Sequence, residues 1–388
     1  MQNREIKTNN RFMLLEYVLC AVIIFCNMAL RLHIVSSAFT VSFITLTAFF
    51  FSRTNIKEQF HLYGTMFGIL IVSFLCVLIN SFSDNANFSF NGMKNYFMFC
   101  STIIFMFLML NIKTNKETAE RILIINLFIA ALYPIGNRFL PQEEIERLTV
   151  GITLNFANPN LTAMWILQSL LYLSLAFLIL KSKFLKVVAA VIFIMDLELL
   201  QQTNARNSII ALFLFAVICV LIVIKQNPHF SKWLIAIVNI LPTVFLFAYL
   251  KFIGPISQSG KFDFLINEGK ELTSRVEIWE KNLAKIENCW LIGSYYGAAG
   301  NTHNAHLVIL GSFGAITLFL TLYFIFKLCC LTNKQCKTKK NLYCLAAFFA
   351  VIFMGIGEGA LFSGAMGIYI MACGYIYLAR CSFEKREN

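Results

Sequence analysis

Charge is scarce in this chain. Only 13% of its 388 residues are Asp, Glu, Lys or Arg, about half the share of a soluble globular domain. With 59% hydrophobic residues and a mean hydropathy of +0.72, that shortage excludes a single water-facing globule. Proline is scarce too, at six residues, so the apolar runs are seldom broken. No CxxC pair occurs among the twelve cysteines, most of which lie inside apolar runs. There Cys behaves as a small hydrophobe, and a zinc site is not expected. The first apolar run ends at Arg31 without a small-residue cleavage site, so it reads as a retained span rather than a signal peptide. No internal repeat and no soluble domain is evident.

What is present is a series of unbroken apolar runs, roughly 17–22 residues each, the length of a spanning helix. In lipid only helices or closed barrels satisfy the backbone, and barrel strands would alternate apolar with polar residues. The chain therefore reads as one all-α membrane domain, 1–388. Spans are expected at about 13–30, 34–51, 62–80, 96–112, 122–137, 161–180, 187–203, 208–224, 233–252, 304–326, 342–361 and 364–379. Every second connection is basic. The N-terminus, the C-terminus and the loops near 53–57, 113–121, 181–186, 225–232 and 327–340 together hold 21 of the 32 Lys and Arg residues. The positive-inside rule puts that set, and both termini, in the cytoplasm. The net charge of +12 is then a topology signal, and nucleic acid is not an expected partner. Two outward segments stand out by length, 138–160 and the large extracytoplasmic loop 253–303.

Inside that loop, Ser274 and Glu277 have capping-box spacing, which predicts a helix starting near Arg275. Val276, Trp279, Leu283, Ile286 and Trp290 recur at helical spacing, with Glu277 and Lys281 on a polar face. The pattern predicts an amphipathic helix on the outer surface or capping the bundle, its Trp side chains at the interface. Arg275 in a first turn, beside free N–H groups, suits a phosphate, or it is a solvated or headgroup Arg. Arg206 stands in a short outward turn, QQTNARNSIIAL, with Asp196 and Glu198 on the preceding span as possible pairing partners. His303 and Asn304 open the tenth span. An imidazole there suits a general base or a cap, and His306 one turn on keeps a metal in view. Glu358 is a carboxylate in the eleventh span, within GIGEGALFSG. Ionisable groups so placed face protein or a water-filled cavity. Two cations and a base beside lipid suit a substrate with a phosphate head and an apolar tail.

These stretches bear a family resemblance. TSRVEIWEKNLAKIENCWLIGS followed by NTHNAHLVILGSFGAI resembles the shared region of O-antigen polymerases and O-antigen ligases. Arg275 with Trp279, Ile292-Gly293, and the H-N-x-x-L-x-x-L-x-x-x-G run from His303 to Gly314 carry the likeness. QQTNARNSIIAL resembles the family's outward arginine turn. GITLNFANPNLTA, with Asn158, Pro159 and Asn160, resembles an upstream segment common in polymerases. The resemblance implies a metal-independent, cofactor-free glycosyltransferase of the bacterial inner membrane. Its donor would be an undecaprenyl-diphosphate-linked oligosaccharide, transferred with anomeric inversion at the outer face. Arg206 and Arg275 would bind the diphosphate and His303 would be the base; Glu358, Trp279, Asn304, Asn158 and Asn160 are further candidates for the site. The absence of any D-x-D triplet agrees with metal independence. The partners implied are lipid-linked donor and acceptor, membrane lipids and a chain-length regulator protein. A polymerase would extend the next lipid-linked repeat unit. A ligase would transfer the glycan to lipid A core or protein. The arginine turn departs from the family in reading Ala205-Arg206-Asn207, and the loop from Arg275 to His303 is short for a ligase, which favours polymerase. From a different class, a transporter or flippase also fits twelve spans, but it would be expected to show related halves and midplane polar sites.

Overall fold

Chain that crosses lipid must satisfy its backbone internally, and long apolar runs do so as helices. The computed structural model describes residues 14–22, 24–26, 60–82, 90–139, 154, 159–224, 229–253, 270–294, 303–359, 362 and 368–383. Every regular element among them is helical. A helical stretch at 14–22 and 24–26 precedes α1 (Phe60–Ser81), α2 (Phe90–Asn111), α3 (Lys116–Phe139) and α4 (Pro159–Ile179). These are followed by α5 (Lys183–Gln202), α6 (Arg206–Ile224) and α7 (Lys232–Ala248), the last prolonged by a π-helical turn, Tyr249–Ile253. Then come α8 (Lys270–Ile286), α9 (Ala305–Gln335), α10 (Lys339–Met354) and α11 (Ile368–Arg380).

Six described helices are long and apolar enough to cross a bilayer: α1, α3, α4, α6, α7 with its π turn, and α9. The protein is thus a multi-pass helical membrane protein. Each expected span from 62 onward overlaps a helix, and the span expected at 34–51 lies outside the described residues. α4, α10 and α11 form the buried middle, with α4 between α3 and α5, and α10 between α11 and α6. The outer helices show apolar side chains to the surroundings, among them Val187 and Ile194 of α5 and Phe213, Leu221 and Ile224 of α6. That is the surface expected where lipid is the solvent.

Three boundaries differ from the hydropathy reading. α9 runs on to Gln335, so much of the basic segment 327–340 is helix, not loop. α10 stops at Met354 rather than near 361, because Gly355, Gly357 and Gly359 follow in a chain that favours turns. α8 begins at Lys270, five residues before the expected start. Lys270, Glu271 and Leu272 are good helix formers, so Ser274 and Glu277 lie inside the helix and are not a capping box.

α9 is broken at Gly314, which has φ 79 and ψ 176. In an unbroken helix Ala315 N–H would donate to Gly311 C=O. Here the chain after α8 lies across the gap. Ala315 N–H donates to Trp290 C=O at 2.9 Å, and Gly311 C=O accepts from Ser294 N–H at 2.8 Å. The loop thus restores both partners that the kink removed, which is how a broken helix is tolerated in a membrane domain. The approach is backbone to backbone: a Cβ on Gly314 would lie 2.0 Å from Leu291 C=O, and one on Gly293 2.7 Å from Gly314 N.

Candidate functional site

Three helix ends meet at one end of the bundle. α10 ends in carbonyls that have no helical partner, and its neighbours answer them. Met354 C=O accepts from Asn207 Nδ2 at 2.6 Å. Gly355 C=O accepts from Ala305 N–H at 2.8 Å, and Ile356 C=O from Asn304 Nδ2 at 3.1 Å. The α5–α6 hairpin that presents Arg206 and Asn207 is tight. Asn204 takes φ 53, the left-handed conformation that Asn tolerates better than most residues, so only three residues separate the end of α5 from the start of α6. The N-termini of α6 and α9, each carrying a partial positive charge, are both tied to the end of α10.

Asn304 is the pin of this junction. Its Oδ1 accepts from His306 N–H at 3.0 Å and Leu307 N–H at 2.9 Å, capping α9. Its Nδ2 donates to Pro242 C=O of α7 at 3.0 Å as well as to Ile356. The side chain is fully buried and spends two donor and two acceptor positions inside the protein, so the expectation that it binds substrate is corrected: it is structural. Asn304→Ala is expected to cost about 2–4 kcal/mol, from the lost cap and two orphaned carbonyls. Thermal unfolding of the purified protein in detergent checks this. Asn304→Asp keeps the cap but sets a buried carboxylate oxygen against the carbonyls of Pro242 and Ile356, so it should not rescue the loss.

His303 precedes the cap at φ 47, an uncommon conformation for a residue with a side chain. Its Nδ1 lies 3.3 Å from Glu358 Oε2, with side-chain exposures of 23% and 10%. Glu358 sits in the turn beyond α10, not within a helix. With Nδ1–H donating to the carboxylate, Nε2 is left as the acceptor, the tautomer a general base needs.

Glu358 also lines a cavity of about 410 Å³. Arg206 and Asn207 of α6, Asn160 of α4 and Trp279 of α8 share it. Its other walls are apolar, from Ile210 of α6 and Leu241 and Phe245 of α7. α6 and α7 both pack on α10 rather than closely on each other, so the cavity is a groove floored by α10, with a polar end and an apolar flank. Arg206 is exposed at this site. Asn160 is half-buried, one residue after Pro159 opens α4, the position where proline fits a helix. Trp279 is buried, edge-on to Tyr249 at 5.4 Å, so it walls the groove instead of sitting at the lipid interface. Trp290 leaves the predicted stripe and is exposed.

The structure thus gathers Arg206, Asn160, Trp279 and Glu358 around one cavity and sets His303 against Glu358. It separates others. Arg275 is the sixth residue of α8, not in its first turn, so the helix-end argument for an anion beside it falls; its side chain lies outside the described residues. Asn158 also lies outside them. Asp196 does not pair with Arg206: it is buried in α5, and neither carboxylate oxygen has a hydrogen-bond partner among the described residues. Glu198 accepts from Gln202 Nε2 at 3.4 Å. His306 is buried with Nδ1 2.7 Å from Thr243 Oγ1, tying α9 to α7. Among the described residues no cluster of His, Cys, Asp and Glu could hold a metal. The sequence reading missed Asn207 and Tyr249. Asn207 had a signal, its place beside Arg206 in the turn. Tyr249, in an apolar run, had none. No protein-family model and no curated protein matches the chain.

Proposed function

We propose that the protein is a glycosyltransferase of the bacterial inner membrane that polymerises surface-polysaccharide repeat units carried on undecaprenyl diphosphate. The observation that carries this reading is the groove: a polar end with Arg206 and Glu358, continuous with apolar walls on α6 and α7, and His303 set against Glu358 at 3.3 Å. A ligand with an anionic head and an isoprenoid tail suits both halves. In this reading twelve spans place both termini in the cytoplasm and the groove at the outer face, as the alternation of basic loops requires. Arg206 holds the diphosphate, and the N-terminal dipoles of α6 and α9 add to the field. Arg275, in the role the family resemblance implies, supplies a second cation.

The acceptor hydroxyl gives its proton to His303 Nε2 as its oxygen attacks the anomeric carbon. The bond from that carbon to the diphosphate oxygen breaks, and the diphosphate leaves with its charge held by arginine. Glu358 keeps the imidazole in the required tautomer and stabilises the imidazolium that forms. Direct displacement inverts the anomeric centre, and the cations do the work a metal would do elsewhere.

Glycan ladders test this. His303→Ala is expected to reduce chain extension about 10²–10⁴-fold, the usual contribution of a general base. Glu358→Gln, which still accepts a hydrogen bond but carries no charge, should fall less. A polymerase defect leaves single repeat units on the core; a ligase defect leaves long chains on the lipid carrier, and that outcome would reassign the acceptor. Wild-type ladders from His303→Ala at normal protein level would remove the base assignment.

A further inference from the structure

A second cavity, about 420 Å³, lies at the opposite end of the bundle, where α3 begins and α9 and α11 end. Thr114, Lys116, Gln335, Lys337, Arg380 and Ser382 line it, and among the described residues no carboxylate does. Arg380 is fixed in place. Its Nε donates to Gln335 Oε1 at 2.6 Å, and its Nη1 donates to Met109 C=O and Ile112 C=O at the end of α2. Its Nη2 makes no hydrogen bond among the described residues, and neither do the ammonium groups of Lys116 and Lys337. None of the described acids nearby lines the cavity. Glu117 is bound to Arg121, and Glu120 lies near Cys381 without lining the cavity. The orphaned carbonyls of α2 account for Arg380, but no described residue accounts for two lysines lining the same space. A basic loop explains why lysines are present at this end; it does not explain why three cations wall one cavity that no described carboxylate lines.

We infer that this cavity binds the phosphate-bearing headgroup of an anionic membrane lipid. The volume exceeds the need of one inorganic phosphate, while the polar wall of amide, hydroxyl and cationic groups suits a headgroup and not an acyl chain. Helix ends place it at the depth where headgroups lie, and basic pockets between spans are known to suit such ligands. The guanidinium offers a directional donor and the lysines two mobile point charges, a combination that matches a phosphodiester. The inference does not depend on the proposed reaction, since no residue of the groove takes part.

The test uses the full-length protein in nanodiscs of phosphatidylcholine, with and without phosphatidylglycerol, read by thermal unfolding. A ligand of the folded state raises the apparent Tm as its concentration rises. The wild type should show that rise with phosphatidylglycerol. Lys116→Gln/Lys337→Gln should lose it while matching the wild type in pure phosphatidylcholine, with binding weakened about 25-fold at about fivefold per lysine. Lys113→Gln/Lys334→Gln, which removes the same charge from exposed positions at the same end, should behave as wild type. Equal rises in wild type and the Lys116/Lys337 variant would overturn the site. A rise produced by soluble pyrophosphate in phosphatidylcholine nanodiscs, with none from phosphatidylglycerol, would overturn the lipid and assign a soluble phosphate ligand.

Discussion

Arg206→Ala is expected to lower glycan chain extension about 10²–10³-fold, the scale on which a single preorganised charge at a reacting centre acts, while leaving the amount of folded protein unchanged. The two halves of that expectation come from the same geometry. Arg206 is exposed at the groove, so truncation opens no core cavity and surface substitutions of that kind shift stability little. Its neighbour Asn207, by contrast, is bonded to Met354 C=O and holds α6 against α10, so Asn207→Ala should disturb folding as well as activity. Arg206→Lys keeps the charge but not the planar fork that matches two phosphate oxygens, and should recover only a minor part of the rate. Isolated membranes supplied with lipid-linked donor give the measurement. Full activity in Arg206→Ala would refute the role.

Gly314→Ala should have the largest effect on folding. The added Cβ would meet Leu291 C=O at 2.0 Å and Ile292 N at 2.5 Å, backbone atoms that no rotamer change can move. A left-handed conformation is also strained for any residue with a Cβ. Strain and overpacking together amount to roughly 3–5 kcal/mol, comparable with the whole stability of many domains. The variant is expected to lose monodisperse protein on size-exclusion chromatography. Gly64→Ala and Gly68→Ala supply the contrast. Both lie in α1 with open space where the Cβ would go, and alanine is the better helix former by about 0.8–1.0 kcal/mol, so each should be neutral or mildly stabilising. A Gly314→Ala protein as stable as these two would show that the loop does not cross the kink as described.

What could be read from the chain divides along physical lines. Hydropathy located the helices because an apolar run long enough to span must be helical. The turn carrying Arg206 was visible because polar QQTNAR interrupts two such runs. The buried stripe of α8, with Val276, Trp279 and Ile286, was visible because helical spacing is local. The kink at Gly314 was not, because LVILGSFGAITLFL is apolar throughout and its break depends on a loop some twenty residues earlier in sequence. The start of α8 was misread because an S-x-x-E spacing also occurs within helices, and nothing local weighed Lys270–Thr273 against it. Asn304 was taken for a binding residue because a sequence shows a side chain's hydrogen-bonding capacity but not how much of it is already used. The joining of His303 to Glu358 was equally hidden: it depends on where α10 stops, which three glycines allow but do not dictate.

The junction of three helix ends also sets an order of events during synthesis. Asn207 is bonded to a carbonyl 147 residues further along the chain, and at about 5–20 residues per second the ribosome needs roughly 7–30 s to reach it. Throughout that interval the hairpin of α5 and α6 is already made while its polar tip lacks the acceptor that will hold it. The groove therefore cannot exist in a nascent chain that ends before α10. Any quality-control factor that recognises exposed polar groups near the bilayer surface has a window in which to engage this hairpin, and the window closes only when the last helices insert.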